Sequence, residues 1–251
     1  MTSKFQLKAF APPKICVPLM VSKTKKLIEL CERLVFYTPD CVEWRLDYMT
    51  DLSDETLNHS LIEMKRILPV GTAILATYRT KQEGGEGEAL PKEYQKLCER
   101  LITSGGIHLI DIEFSQGDDC VAHLIDLAKE YNVISVLSYH NFSKTPDTET
   151  LDYLLSRMIA KDSDVVKIAT MGEKATDYPR FYEVIKKWAE EYKSVLFIAL
   201  VMGVLGQLSR LEGEKFGSVM TFARLGDGSA PGQYTIEEVR SYLDNSSRDL
   251  N

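Results

Sequence analysis

Short runs of apolar, often β-branched residues recur along the chain and begin about every 29 residues. There are eight of these runs: ICVPLM, CVEWRLD, AILATYR, HLIDIEF, VISVLSYH, VVKIATM, SVLFIAL and SVMTFA. Near-continuous apolar runs of this length are typical of strands that are buried on both faces of a parallel sheet. The pattern therefore predicts eight parallel strands.

The segments between the runs have the spacing of amphipathic helices. In TKKLIELCERLVFY, for example, Leu27, Cys31 and Leu34 fall on one stripe. Further helices are predicted over DETLNHSLIEMKRIL, YQKLCERLIT, VAHLIDLAKEY, TETLDYLLSRMIA, YPRFYEVIKKWAEEY and TIEEVRSYL. The last of these has Thr235 as its N-cap, and Glu238 completes a capping box.

Eight strands that alternate with helices over 251 residues predict an α/β fold, a (β/α)8 TIM barrel that occupies the whole chain, 1–251, as one domain. An open doubly wound sheet is the rival architecture. Residues 21–24 (VSKT), after the first strand, lack the glycine-rich phosphate turn that it needs. The patch EGGEGE, residues 83–88, leaves the alternation intact, and we expect a mobile loop there, after the third strand.

Composition and charge narrow the class of partner. Hydrophobic residues make up 44% and charged residues 27% of the chain, which is ordinary for a globular protein, and the net charge is −7. The absence of a basic field argues against binding to nucleic acid or to an anionic membrane surface. The five cysteines are widely spaced, and no CxxC pair or signal peptide is recognisable, so we expect a cytoplasmic protein with reduced thiols.

In a (β/α)8 barrel the chemistry lies at the carboxyl ends of the strands, so polar residues there form the candidate site. The alternation in the second strand places Glu43, Arg45 and Asp47 on one face, opposite the apolar residues that meet the helices. Inward-facing charges need partners, so a structural ion network is the alternative to a binding site. The third and fourth strands add further charged residues in inward positions: Arg79, Asp111 and Glu113.

Lys167 lies in the middle of the sixth strand, among β-branched residues. Such a lysine is either half of a structural ion pair or a buried nucleophile. Burial penalises its ammonium form, and nearby arginines add to that penalty. Both effects favour a neutral amine that can form a Schiff base with a ketone.

His140 ends the fifth strand, one strand away from Lys167. A lone histidine is commonly structural, but an imidazole beside a Schiff-base lysine can take and give a proton near pH 7. Glu83, one turn beyond Arg79, is a carboxylate that could orient this imidazole.

Two segments near the end of the chain are rich in small and polar residues. Arg210 follows the seventh strand, and SAPGQ, which runs from Ser229 to Gln233, follows the eighth. An ordinary turn is one interpretation of SAPGQ. At a barrel mouth beside arginines, it predicts a lid over a polar, anionic substrate.

Together these motifs resemble those of the type I 3-dehydroquinate dehydratases, the Schiff-base hydro-lyases of the shikimate pathway. The resemblance runs from Lys14 to near the C-terminus and rests on KICVPLM, EWRLDY, TYRTKQEGG, SYHNFSKTP, VVKIATM, MGVLGQLSR, FGSVMTFA and SAPGQ, in the family's order. It implies a lyase that dehydrates 3-dehydroquinate to 3-dehydroshikimate by syn elimination, the third step of that pathway. It also implies a cytoplasmic homodimer without metal or other cofactor, with FQLKAFAPPK as a β-hairpin under the barrel.

The same resemblance implies roles for individual residues. Lys167 would form an imine with the C3 ketone. His140 would remove a proton from C2 and then protonate the departing C1 hydroxyl, and Glu83 would hydrogen-bond His140. Substrate contacts are implied for Glu43, Arg45, Arg79, Arg210, Ser229 and Gln233, with Arg210 on the carboxylate. Two residues depart from the family pattern: Pro18, where some members have serine, and Leu200, where many have methionine.

Three other functions fit parts of the pattern. A class I aldolase also uses a lysine on the sixth strand, but SAPGQ has little resemblance to the phosphate site that such enzymes usually need. A metal enzyme could use Glu43, Asp47, Asp111, Glu113 and His140 as ligands, although no HxH or HExxH motif supports it. A non-catalytic binding barrel would not need the lysine, the histidine and the glutamate together.

Overall fold

The computed structural model describes residues 5–225 and 233–248, the last three of these by their backbone alone. The strands are β1 (Lys14–Leu19), β2 (Cys41–Arg45), β3 (Ala73–Thr77), β4 (Leu109–Glu113), β5 (Ile134–Asn141), β6 (Val165–Met171), β7 (Leu196–Met202) and β8 (Met220–Phe222). The helices are α1 (Thr24–Leu34), α2 (Asp54–Ile67), α3 (Pro91–Thr103), α4 (Asp118–Glu130), α5 (Thr148–Ile159), α6 (Asp177–Glu191), α7 (Gly213–Phe216) and α8 (Ile236–Arg248).

These strands belong to one sheet with the order β7-β6-β5-β4-β3-β2-β1-β8. Strands that follow one another in the sequence are therefore neighbours, and β1 pairs in parallel with β8, with Lys14 opposite Met220. Val219, the residue before β8, is hydrogen-bonded to β7: its N–H donates to the Phe197 carbonyl oxygen at 2.8 Å. Strand order and alternation with helices confirm the predicted (β/α)8 barrel. One domain over 1–251 stays a prediction.

Two compact parts of the chain carry the polar residues of interest. The first part is Val17–Val136, and the second part combines Gln6–Cys16 with the chain from Leu137 onward. Each part is described by itself below.

Side-chain caps begin three of the helices, and one of these caps was predicted from the sequence. The Thr235 hydroxyl accepts from the Glu238 N–H at 3.2 Å, and the Thr235 N–H donates to the Glu238 carboxylate at 2.7 Å, which confirms the capping box of α8. Ser53 before α2 and Asp147 before α5 each accept a hydrogen bond from the third backbone N–H of their helix.

One predicted element is wrong, and another is shorter than the alternation indicated. FQLKAFAPPK forms no β-hairpin: Phe5–Pro13 contains a turn but no strand, because Pro12 and Pro13 lack the N–H groups that strand pairing requires. Between β7 and β8 the chain forms a 3₁₀ segment, Val204–Arg210, and then the four-residue α7. None of the helices in the described ranges has both the length and the apolar character needed to cross a membrane.

Candidate active site

Charged residues at the ends of β2, β3 and β4 form a buried ion network in the first part of the chain. At its centre is Arg79, which is 4% exposed. Its Nη2 lies 2.8 Å from Asp111 Oδ2, and its Nη1 lies 3.0 Å from Glu113 Oε1 and 3.5 Å from Glu83 Oε2. Burial alone would lower the pKa of Arg79, but attraction to these carboxylates and to Glu43 outweighs it and raises that pKa above its ordinary value. Arg79 is therefore held as a cation.

Glu113 on β4 accepts several hydrogen bonds in this network. Besides the central guanidinium, it accepts from the backbone N–H and the hydroxyl of Thr80, both at 2.8 Å, and from Gln116 Nε2 at 3.0 Å. On the helix side, the Tyr94 hydroxyl of α3 accepts from the Glu113 N–H at 3.0 Å and donates to the Asp111 carbonyl at 3.4 Å. Sequence reasoning missed Tyr94, because a tyrosine on the apolar stripe of a helix has the pattern of an ordinary core residue.

Glu83 ends the 3₁₀ turn Lys81–Glu83 and is 3% exposed. Its Oε1 accepts a hydrogen bond from Ser115 Oγ at 2.7 Å. Burial raises the pKa of Glu83 to about 7, and the carboxylates of β4 act in the same direction, whereas Arg79 and the Ser115 hydroxyl oppose the rise. The side chain therefore keeps its proton to a higher pH than an exposed glutamate does.

The glycines after Glu83 let the loop lie against the end of β3. A Cβ atom on Gly85 would lie 2.2 Å from the Arg79 carbonyl oxygen, and one on Gly87 would lie 2.5 Å from the Tyr78 ring. The Gly87 N–H also donates to the Arg79 carbonyl at 3.0 Å. The loop predicted after the third strand is confirmed, and its glycines permit close approach of backbone to backbone. Its mobility stays a prediction.

The charged residues of β2 have partners of their own. Thr77 Oγ1 donates to Glu43 Oε1 at 2.9 Å. The Arg45 guanidinium binds Asp47 with two hydrogen bonds, of 2.8 and 2.7 Å, and Asp47 Oδ2 also accepts from the Glu86 N–H at 3.1 Å. The structural ion pairing weighed as an alternative from the sequence is thus present between Arg45 and Asp47.

Lys167 and His140 belong to the second part of the chain. Lys167 is 4% exposed, which confirms its predicted burial, and its Nζ lies 4.7 Å from the centre of the Phe222 ring on β8. The face of an aromatic ring attracts a cationic nitrogen. His140, near the end of β5, is half-buried, and its ring stacks on Phe142 with centroids 6.4 Å apart.

Arg210 ends the 3₁₀ segment after β7 and is 5% exposed. Its Nη1 donates to the Phe222 carbonyl at 3.4 Å, and its own carbonyl accepts from Thr221 Oγ1 at 2.7 Å. No carboxylate within residues 5–225 and 233–248 pairs with its guanidinium. Burial lowers the pKa of Arg210 to about 10, against a smaller opposing effect of Tyr234. A buried guanidinium that pairs with no carboxylate in the described ranges is suited to bind an anion.

Two of the remaining candidate residues, Ser229 and Gln233, belong to the segment SAPGQ that follows β8. Ser229 and most of SAPGQ lie outside the described residues. The carbonyl of Gln233 accepts from Arg224 Nε at 3.0 Å, and its side-chain oxygen is buried without a hydrogen-bond partner in the part of the chain that the structure covers. Pro18 is half-buried in β1 and Leu200 is buried in β7, and their effect on binding stays a prediction.

Each part of the chain offers a different chemistry. The first part presents carboxylates and guanidinium groups, which suit a molecule with several hydroxyls. The second part presents an amine for attack on a carbonyl, an imidazole for proton transfer and a guanidinium for a carboxylate. Over the ranges that the structure describes, no three His, Cys, Asp or Glu side chains are grouped as metal ligands would be.

The chain is similar to proteins of one family. The sequence model of the type I 3-dehydroquinase family matches residues 15–249. The 3-dehydroquinate dehydratase of Listeria monocytogenes serotype 4b is 39% identical over 233 residues, 92% of each chain. That of Enterococcus faecalis is 35% identical over 235 residues, 92% of this chain and 91% of the relative.

Solved structures of 3-dehydroquinate dehydratases are also similar to this chain. The type I 3-dehydroquinate dehydratase from Clostridium difficile, determined with covalently modified comenic acid, matches with a TM-score of 0.91 at 30% identity, over 97% of both chains. The 3-dehydroquinate dehydratase from Geobacillus kaustophilus matches with a TM-score of 0.88 at 31% identity, over 94% of this chain and 91% of the other.

Proposed function

The chain belongs to the type I 3-dehydroquinase family, and we propose on that premise that it dehydrates 3-dehydroquinate to 3-dehydroshikimate through a Schiff base on Lys167. The observation that carries the proposal is the burial of Lys167 in an apolar strand with its Nζ over the Phe222 ring. Burial excludes water from the amine, and the iminium cation of the adduct keeps the attraction to the aromatic face. The reaction is that of a hydro-lyase in the shikimate pathway.

The Schiff base supplies the electron sink that the elimination needs. The amine of Lys167 attacks the C3 ketone, and loss of water gives a protonated imine. Removal of the C2 proton sends an electron pair toward the nitrogen, which forms a neutral enamine. Departure of the C1 hydroxyl as water regenerates the iminium, and its hydrolysis releases the conjugated product and the free amine. The sequence of steps calls for no metal or other cofactor.

His140 carries both proton transfers in this proposal. It takes the proton from C2 and then gives a proton to the C1 hydroxyl, which suits a syn elimination because both groups leave from the same side. The family resemblance assigns to Glu83 the role of accepting a hydrogen bond from His140 and orienting its ring. The support is the motif pair TYRTKQEGG and SYHNFSKTP, which carries these residues in the order of the family.

The substrate is held by groups of opposite charge. Arg210 binds the carboxylate, because its buried guanidinium has no carboxylate partner within the described ranges of the chain. Glu43 and Arg45 contact the ring hydroxyls. Arg79 acts mainly through the three carboxylates that its guanidinium already contacts. The family pattern adds Ser229 and Gln233 as substrate contacts within SAPGQ, the segment proposed as a lid.

The assembly and location belong to the same proposal. We infer a single-domain, cytoplasmic homodimer from the resemblance to the family. Light scattering of the purified protein would give twice the mass of one chain, and a monomer at working concentration would rule out the dimer.

The function is tested by product and adduct together. Incubation with 3-dehydroquinate should produce the absorbance of a conjugated enone, and quenching with borohydride should add the reduced ligand to the peptide that contains Lys167. Lys167→Ala should abolish both signals, and Lys187→Ala, an exposed lysine on α6, should retain both. Two-fragment products would instead indicate an aldolase, and an adduct on another lysine would overturn the assignment.

A further inference from the structure

One 3₁₀ turn after β4, Phe114–Gln116, supplies a neutral hydrogen-bond donor to each of two buried carboxylates. Ser115 Oγ donates to Glu83 Oε1 at 2.7 Å, and Gln116 Nε2 donates to Glu113 Oε2 at 3.0 Å. Ser115 is exposed, so water could satisfy its hydroxyl without this contact. The buried carboxylate of Glu83 is therefore the partner that gains from it.

The ion network around this turn contains more negative than positive groups. Its carboxylates are Glu43, Asp47, Glu83, Asp111 and Glu113, and its cations are Arg45 and Arg79. Among the described residues of Val17–Val136, these five carboxylates face two guanidinium groups, so ionisation of every carboxylate puts more negative than positive charge on this part of the network. Such an excess is costly in a buried region, and neutral donors reduce the cost without adding another cation.

Glu83 has the weakest contact with the central cation. Asp111 and Glu113 approach Arg79 to 2.8 and 3.0 Å, whereas Glu83 lies 3.5 Å away. Of the charged groups that face Glu83, Arg79 favours its ionised form, and the two carboxylates of β4 oppose it. The hydroxyl of Ser115, at 2.7 Å, is the shorter contact and acts together with the guanidinium.

We propose that Ser115 is a positioning residue, which holds Glu83 in its ionised, hydrogen-bond-accepting form. The inference rests on the proposed function, in which ionised Glu83 orients His140. A hydrogen bond donated to a carboxylate stabilises the charged state. Without the hydroxyl, a higher pH is needed before Glu83 ionises, and the reaction loses its oriented imidazole over a wider acidic range.

The experiment compares Ser115→Ala with Ser115→Thr, which restores a hydroxyl at the same exposed position. Gln116→Ala is the matched control, because it removes a neutral donor from the same turn but leaves Glu113 with three other donors: Arg79 Nη1, Thr80 N and Thr80 Oγ1. Two quantities are measured for each variant: the pH profile of kcat/KM and the titration midpoint of Glu83 from the NMR shift of its labelled carboxyl carbon. The second does not depend on turnover.

Ser115→Ala should move both the acidic limb of kcat/KM and the Glu83 midpoint to higher pH by roughly half to one unit, the size expected for one lost hydrogen bond. With a wild-type midpoint near neutrality, kcat/KM at pH 7 should fall about 2- to 6-fold and recover at alkaline pH. Ser115→Thr should restore both values, and Gln116→Ala should leave the Glu83 midpoint close to that of the wild type.

An unchanged Glu83 midpoint in Ser115→Ala would overturn the inference. A shifted midpoint with an unshifted kcat/KM profile would overturn the link between Ser115 and the reaction. Failure of the wild-type protein to dehydrate 3-dehydroquinate would refute the proposed function and with it the positioning role. The NMR midpoints would still report the hydrogen bond, so the two failures can be told apart.

Discussion

The Nζ atom of Lys167 lies 4.7 Å from the centre of the Phe222 ring, and both side chains are almost fully buried. An aromatic face stabilises a nearby cation by about 0.5–2 kcal/mol without taking its proton. In the proposed reaction this nitrogen is cationic as the ammonium and as the iminium, and neutral as the attacking amine and the enamine. The ring thus favours the iminium over the neutral amine from which it forms and over the neutral enamine.

Phe222→Leu should lower kcat/KM about 2- to 30-fold, because the leucine side chain keeps the site apolar but offers no aromatic face to the iminium. The amount of borohydride-trapped adduct formed in a fixed time should fall with it. Phe222→Tyr should retain most of both, and Phe216→Leu, a buried ring on α7, controls for the cost of a cavity. If Phe222→Leu traps the adduct and turns over at wild-type rates, the Phe222 ring does not stabilise the iminium.

Arg210→Met should raise the stability of the protein without ligand and weaken substrate binding at the same time. Burial lowers the pKa of Arg210 to about 10, so the charged form is disfavoured in the folded protein, and methionine of similar length removes that charge. We expect a gain of about 1–3 kcal/mol in the free energy of unfolding and a KM for 3-dehydroquinate more than about tenfold higher. Urea denaturation and steady-state kinetics measure the two effects.

The matched control is Arg66→Met, which removes an exposed arginine paired with Glu63. Exposed pairs contribute little to the free energy of unfolding, so its stability should change far less than that of Arg210→Met, and its KM should stay that of the wild type. An unchanged KM in Arg210→Met would rule out the carboxylate role of Arg210.

Much of this arrangement follows from local sequence pattern. The pattern CVEWRLD correctly predicts a strand, and its inward candidate Glu43 is buried in β2. Asp47 is also buried, but it lies beyond β2 in the 3₁₀ turn Leu46–Tyr48, where strand alternation no longer applies. The burial of Lys167 follows from the apolar residues on both sides of it in β6. The capping box of α8 is confirmed for the same reason, since it depends on residues three positions apart.

The parts that sequence reasoning missed depend on contacts between segments that are distant in the chain. Ser115 and Glu83 are 32 residues apart, and nothing in the turn FSQ marks its serine as a partner of a buried carboxylate. The bond from the Glu86 N–H to Asp47 joins two loops in the same way. The N-terminal hairpin was wrong because it rested on the family resemblance, which overrode the two adjacent prolines of this chain.

Asp47→Asn should destabilise the fold and weaken substrate binding. Asp47 holds the Arg45 guanidinium with two hydrogen bonds and the Glu86 N–H with a third. Loss of its charge leaves the guanidinium without its close counterion, at a cost of about 3 kcal/mol in the free energy of unfolding. Because Arg45 then loses its fixed position, KM should rise more than kcat falls.

Glu63→Gln is the control for Asp47→Asn, since it removes the carboxylate of an exposed pair with Arg66. Its effect on urea denaturation should be much smaller than that of Asp47→Asn. Equal stabilities of Asp47→Asn and Glu63→Gln would contradict the structural role of Asp47.

Glu83→Gln should make the protein more stable at neutral and alkaline pH while it impairs turnover. Burial raises the pKa of Glu83 from 4.5 to about 7, so between these values the folded protein keeps a proton that the unfolded chain has lost. The contribution of the Glu83 side chain to the free energy of unfolding is fully present below about pH 4.5, decreases as the pH rises, and is lost above about pH 7. The total loss is about 3 kcal/mol. Glutamine stays neutral throughout, so the variant should match the wild type in acid and exceed its free energy of unfolding by roughly 2–3 kcal/mol at pH 8.

Urea denaturation across this pH range measures the difference between Glu83→Gln and the wild type, and Glu190→Gln, which changes an exposed residue of α6, is the control. A variant whose stability follows the wild-type pH dependence would mean that Glu83 titrates as an ordinary carboxylate and that the excess negative charge of the network is relieved at another residue.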